Sequence, residues 1–302
     1  MGLAFSSTKQ QIVKLTEEQR RIYAAEEHEN FRWISKIVAS YSSYTLTAAD
    51  RAPISLYHTL SDIGEHFTCI FYFRVINPYI SDLRDQFSSQ GQFAELTFSA
   101  VPLETLFKHL PLLRQPGYPL ETYNALDDAV LVDSFHGPFT GLFVLIVYRS
   151  LLGQLVLAVS GTSSIKQALQ DLRIIRCPHP SGRGSVHTGF WTIYKDVKDQ
   201  AISAIQKGVA TNHSVREIVL TGHSMGGSIA YLLCLELFAD HMKWLKDLNI
   251  NIKVVAFGVP RTGDAALVDY FRELSLSYKK VQGQDAFKEY SVKGYNDGKL
   301  PS

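Results

Sequence analysis

The chain has 302 residues, with 30 Lys and Arg against 29 Asp and Glu, a net charge of +1. That balance supplies no field to hold a nucleic-acid backbone, and 46% apolar with 12% aromatic residues provides the core-forming material that disordered and fibrous chains lack. The three cysteines, Cys69, Cys177 and Cys234, show no CxxC spacing, so neither a disulfide framework nor a metal site is expected, and a reducing compartment fits them.

Met1-Gly2 with Ser6 matches the pattern for N-myristoylation, and the first thirty residues contain no apolar run of signal-peptide type. The expectation is a cytoplasmic chain without a signal peptide, associated with membranes through Gly2. Thr16 followed by Gln19 reads as a capping box, and Ile22, Ala25, Trp33, Ile34, Ile37 and Val38 then recur at helical spacing. Further mostly helical segments fill the stretch to about residue 116, punctuated at Pro53, Gly64, Pro78, Gly91 and Pro102. Pro111, Pro116-Gly117 and Pro119 mark a change of texture. A mainly helical N-terminal region over 1–115 and a second domain over 116–302 are therefore expected.

Beyond that boundary, residues 129–133, 142–148 and 154–160 are strand-like, the last two joined by a hairpin at 149–153. A helix is predicted over 190–205, where Phe190, Ile193, Val197, Ala201 and Ile205 share one face. Strands at 217–221 and 252–257 flank an apolar helix from 226 to about 245. Continuous apolar strands alternating with helices predict an α/β domain with a mostly parallel sheet covered on both faces.

The stretch Ile218-Val219-Leu220-Thr221-Gly222-His223-Ser224-Met225-Gly226-Gly227 carries the chemistry. A G-x-S-x-G match alone is weak, but here it follows an apolar strand and opens an apolar helix, the context in which a serine is held on a sharp bend as a nucleophile. Gly222 and Gly226 are required because a β-carbon at either would meet the neighbouring backbone. Met225 N–H, at the positive end of the helix, is the natural first oxyanion donor. The competing reading makes Ser224 a simple helix N-cap. His223 points away from its neighbour on such a bend and is read as structural. A second oxyanion donor is expected from another loop, and Thr162 in Ser160-Gly161-Thr162-Ser163-Ser164 offers both an N–H and a hydroxyl. The short amphipathic stretch after it could act as a lid.

With these blocks, together with Val186-His187-Thr188-Gly189-Phe190 and Ala256-Phe257-Gly258-Val259-Pro260-Arg261-Thr262-Gly263, the sequence from about residue 120 resembles the class 3, or fungal-type, lipases of the α/β-hydrolase superfamily. The resemblance implies Ser224 as the acyl-forming nucleophile, Thr162 and Met225 as the oxyanion hole, and a mobile lid after Thr162. It implies hydrolysis of acylglycerol or other lipid esters without a cofactor, with contact at a membrane or lipid-droplet surface. His187 matches a motif position that is not the family's base.

Chain order in this fold is Ser, Asp, His. Two aspartates compete for the second place: Asp297, in an Asn296-Asp297 pair like that ending a strand in the family, and Asp285, which lies nearer Pro260. Asp297 is favoured. No histidine follows His241, so the general base is missing from the sequence in hand. An incomplete or alternative chain and a lipase-like protein that binds lipid without catalysis both account for this, as would a rescue by His136, His179 or His187. A peptidase on the same fold is a further alternative.

Overall fold

A computed structural model of the protein describes residues 89–99, 103–115, 120, 123–161 and 175–292. The expectations for Gly2, the Thr16 capping box and its helix, Thr162, the segment after it and Asp297 lie outside these residues. The chain divides into two compact units, one of Met1–Ile76 with Ala100–Thr122 and one of Asn77–Ser99 with Tyr123–Ser302. In the first, the described helices are Leu103–Lys108 and Leu110–Leu113, after which Leu120 N–H returns to the Leu113 carbonyl.

The second unit is built on a six-stranded sheet in the order β1 (Ala129–His136), β2 (Phe143–Arg149), β3 (Gln154–Val159), β6 (Glu217–His223), β7 (Asn251–Phe257) and β8 (Phe287–Val292). The pairs β1–β2 and β2–β3 are antiparallel, and β3–β6, β6–β7 and β7–β8 are parallel. The turn after Arg149 makes the predicted hairpin, closed through Gly153 at φ 61°. Strand β1 runs three residues beyond its predicted end, past an irregularity between Leu131 and Asp133. A two-stranded hairpin of β4 (Arg176–Pro178) and β5 (Ser185–His187) joins the loop after β7 through a bridge between Val186 and Gly263.

Alternate residues of the central strands bury against helices on one face. Val144, Ile146, Leu157, Ile218, Leu220 and Val254 form one core with α1 (Thr188–Thr211), α2 (Met225–Asp240) and α4 (Ala265–Gln282). Helix α1 is longer than predicted at both ends; His187 caps its start, its Nδ1 accepting from Phe190 N–H at 3.5 Å. The helix expected over 226–245 is two: α2 stops at His241, whose backbone leaves helical geometry (ψ 9°), and α3 (Met242–Asp247) follows. Helix α4 was not anticipated; Asp264 caps it by accepting from Leu267 N–H at 3.0 Å.

The opposite set of strand residues, including Leu145, Val147, Val156, Val219 and Val255, is also buried. Helical residues 89–96 belong to that side: the Gln90 carbonyl lies 3.5 Å from Thr221 Oγ1, which donates to the Val255 carbonyl at 2.7 Å, and Gln92 Oε1 accepts from Ala125 N–H at 3.0 Å. The boundary read near residue 116 assigned these residues to the N-terminal region, whereas Phe93, Leu96 and Phe98 are buried within the sheet-bearing unit. Among the described residues, no helix is long and apolar enough to cross a membrane.

Candidate active site

In an open α/β sheet the strands' carboxyl ends are where ligands are met. Here β3, β6 and β7 end together, with Val159 beside Gly222 and Gly222 beside Ala256. Ser224 follows directly after β6 and directly before α2. Its backbone is at φ 53° and ψ −120°, outside the regions that side-chain-bearing residues ordinarily occupy. Such a conformation costs on the order of 1–3 kcal/mol and persists only where the surroundings impose it. They do so here by backbone contact. Ser224 N–H donates to the Phe257 carbonyl at 2.8 Å, and the Ser224 carbonyl receives the N–H groups of Gly227 and Ser228 at 3.1 and 3.3 Å.

The flanking glycines are sterically required. A β-carbon on Gly222 would sit 2.5 Å from the Gly226 carbonyl carbon, and one on Gly226 would fall 2.7 Å from the Ser160 oxygen and against the Val159 oxygen. Gly227 is tied in the same way, since its β-carbon would lie 2.6 Å from the Val259 side chain. Helix α2 can approach the ends of β3 and β7 so closely only with bare backbone at these positions.

The N-cap alternative for Ser224 fails on two counts. An N-cap serine adopts extended backbone and accepts from an N–H of the first turn, whereas Ser224 is in the left-handed region and its side chain makes no capping bond. No described side chain hydrogen-bonds to its hydroxyl. The residue keeps 7% of its surface, so the oxygen sits where water is scarce and electrostatic interactions are strong. Met225 begins α2, placing its N–H at the positive end of the helix dipole.

The chain leaving β3 approaches the elbow. A β-carbon on Gly161 would lie 2.7 Å from the His223 carbonyl oxygen and 3.2 Å from the Phe98 ring, so this glycine lets the chain pass between the two. The next residue is Thr162. His223 itself is buried, in keeping with a structural role.

The histidines considered as substitutes for the missing base are engaged elsewhere. His187 caps α1, stacks on Phe190 and is held below the usual imidazole range by burial and then by Arg176. His179 Nδ1 meets the Ser181 hydroxyl at 2.7 Å, and burial likewise lowers its pKa. His136 lies against Phe143. None is hydrogen-bonded to Ser224.

Asp285, the second candidate acid, is at the wrong edge of the sheet. It precedes β8, which runs parallel to β7, so it lies by the strands' amino ends, where it pairs with Lys288 at 3.2 Å. Asp297 follows Val292, the last residue of β8, in sequence.

Sequence reasoning missed one brace of the site. Thr262 Oγ1 donates to Ser228 Oγ at 3.0 Å, joining the first turn of α2 to the loop after β7, while the Thr262 carbonyl accepts from His187 N–H at 2.9 Å. Nothing in the spacing of Ser228 and Thr262 announces the contact.

Residues 156–292 match the family described as Lipase (class 3). A lipase of Rhizomucor miehei is 29% identical over 122 residues, covering 40% of this chain and 32% of that protein. Secreted mono- and diacylglycerol lipase A of Penicillium cyclopium is 30% identical over 131 residues, 43% of this chain and 40% of that one. The chain thus spans about a third of the length of the Rhizomucor relative that it matches. Among solved structures, a mutant form of MDLA from Penicillium cyclopium superposes with a TM-score of 0.52 at 22% identity, covering 72% of this chain and 71% of the other. The native Rhizomucor miehei lipase propeptide complex gives 0.51 at 19% identity, over 64% and 58%. The resemblance read from the sequence motifs is thereby met, and the fold is that of the α/β hydrolases.

Proposed function

We propose that the chain carries the nucleophile and oxyanion machinery of a serine ester hydrolase of lipase type. The observation that carries this is Ser224: a serine forced into left-handed backbone between a parallel strand and a helix, its hydroxyl left out of capping. The relatives named as lipases support acylglycerols, or other lipid esters, as the substrate class.

In this reading Ser224 Oγ attacks the ester carbonyl carbon as its proton passes to a histidine imidazole. The charge that develops on the carbonyl oxygen is received by Met225 N–H and by the N–H and hydroxyl of Thr162. Collapse of the tetrahedral species expels the alcohol, which takes the proton from the imidazolium, and water then releases the acid from Ser224 by the same path in reverse. Asp297, beyond the end of β8, orients the histidine. That histidine belongs after Asp297 in chain order, and these 302 residues hold none after His241.

Labelling the chain with a fluorophosphonate, with and without added imidazole, tests this. A serine preorganised for attack but short of its base should label slowly at Ser224 alone, faster when imidazole is supplied, and not at all in Ser224→Ala. Without the base, a comparable serine hydrolase loses on the order of a million-fold in kcat but keeps about a thousandfold over water from its oxyanion hole and binding. Label on another residue, or labelling indifferent to Ser224→Ala, would overturn the reading. Folded chain that stays unlabelled even with imidazole would favour lipid binding without catalysis.

A further inference from the structure

Helix α2 begins where a helix is hard to start. Its first turn, Met225-Gly226-Gly227-Ser228, holds two glycines, the poorest helix formers after proline, and Ser224 before it supplies no side-chain cap. The Gly227 and Ser228 N–H groups that return to the Ser224 carbonyl do so at 3.1 and 3.3 Å, the long end of ordinary hydrogen bonds. Better helix formers cannot replace the glycines, because a β-carbon at either would strike its neighbours. What steadies this turn must come from outside the helix.

Ser228, the first side chain after the glycines, is fully buried. A hydroxyl there adds nothing to the core that Ile229, Leu232, Leu233 and Leu237 build along α2, and it would cost free energy without a partner. Its partner is Thr262, whose Oγ1 donates to Ser228 Oγ at 3.0 Å; the Pro260 carbonyl, at 3.4 Å, is the weaker acceptor. Thr262 is itself held from the other side. Its carbonyl accepts from His187 N–H at 2.9 Å, Gly263 bridges to Val186, and Asp264 is tied to Ser185 by two hydrogen bonds of 3.0 Å, one from its own N–H and one to its carboxylate. The hydroxyl pair thus runs from a fixed loop to the turn that carries Met225 N–H. For stability alone, alanine and valine would fill the same space and leave no polar atom to satisfy.

We propose that Thr262, acting through Ser228, is a positioning residue for the reaction: it holds the first turn of α2 so that the Ser224 hydroxyl and the Met225 N–H keep the geometry that attack requires. The inference rests on the lipase reading for the reaction it serves, and a second readout is independent of that reading. The variant Ser228→Ala with Thr262→Val removes both hydroxyls and leaves neither unpaired, so the fold should keep its stability. At fixed imidazole and saturating fluorophosphonate, its limiting rate of Ser224 labelling should fall about tenfold, the worth of one such hydrogen bond, with the half-saturating concentration unchanged. Misfolding would lower the amount labelled, not the limiting rate of the folded fraction. Thr262→Ser keeps the hydroxyl and should label at the parent's rate, whereas Thr262→Val should be as slow as the double variant. In the folded chain, the Gly227 and Ser228 amides of the double variant should exchange with solvent about tenfold faster than in the parent, and those beyond Leu232 at the parent's rate. Labelling of the double variant at the parent's rate, or Thr262→Ser as slow as Thr262→Val, overturns the proposal. A parent that stays unlabelled even with imidazole strikes the hydrolase reading instead; amide exchange then decides the brace, and exchange unchanged in the double variant overturns it.

Discussion

At one edge of the sheet, where β3, β6 and β7 begin and β2 ends, the strands are fastened by side chains. Glu217 accepts from Gln154 Nε2 at 2.5 Å and from Lys253 Nζ at 2.8 Å, and Arg149 is paired with Asp128 at 2.6 Å with both side chains almost fully buried. At the opposite edge, beside the Thr262 to Ser228 hydroxyl pair, the close approach is backbone on backbone, through Gly161, Gly222, Gly226 and the Ser224 to Phe257 hydrogen bond. The contrast has a physical cause. Side chains that satisfy one another leave nothing to offer a substrate, so they belong where only stability is needed. A reaction edge needs N–H groups and one hydroxyl aimed at a ligand, and only bare backbone lets helix and loop come close enough to aim them. Residues 89–98 span the two edges, with the Phe93 ring 5.8 Å from the Arg149 guanidinium and Phe98 next to Gly161.

The largest effect is expected at the reaction edge. In Gly226→Ala the new methyl meets the Val159 and Ser160 carbonyls, which belong to the end of β3 and the turn after it and cannot give way separately. A loss of about 3 kcal/mol or more is expected in chemical denaturation, with Ser224 labelling abolished even in the fraction that folds. A stable, labelled variant would mean that the elbow is looser than its contacts.

Next comes the amino edge. Lys253→Met removes the cation from a largely buried carboxylate and should cost about 2–3 kcal/mol. Labelling of the folded fraction should be unchanged, because the change lies a full strand length from Ser224. A fall in labelling without a fall in stability would show that the two edges are coupled.

Glu95, in the helix between the edges, gives a smaller effect of opposite sign. Burial raises its carboxyl to about 7, with the Tyr123 hydroxyl pulling the other way. Both folded and unfolded chains bind this proton at low pH. As pH rises from 4.5 toward 7 only the unfolded chain releases it, so stability falls across that window and then levels off. Glu95→Gln should therefore leave the acid side unchanged and raise stability above pH 7, by about 2 kcal/mol. Equal denaturation midpoints at pH 8 would show the carboxyl to be solvated.

How much of this was legible follows from how local each feature is. The elbow, the strands β2, β3, β6 and β7, and the body of α1 were readable because glycine spacing and apolar runs lie within a dozen residues. Helix α4 was also readable in principle, since Asp264 caps it and Leu267, Phe271, Leu274 and Tyr278 recur on one face. The Ser228 to Thr262 brace and the placement of residues 89–99 were not readable. Each joins segments dozens of residues apart through polar atoms that carry no period.

Asp285 is where the comparison between edges predicts almost nothing. Sequence distance from Pro260 made it a rival for the triad acid, yet strand direction decides the matter: β8 begins after Asp285 and carries the chain from the amino edge to the reaction edge before Asp297 is reached. Its carboxylate is 90% exposed and its pairing with Lys288, three residues on, is of the surface kind, contributing about 0–1 kcal/mol. Asp285→Ala should shift the denaturation midpoint by less than about 0.5 kcal/mol and leave the rate of imidazole-assisted labelling of Ser224 unaltered. Since an acid that orients the base would matter only once a histidine is in place, the same substitution belongs also in any longer chain that supplies one, beside Asp297→Ala. There Asp297→Ala should collapse ester turnover and Asp285→Ala should not. The reverse order would place the acid on the edge that the parallel register excludes.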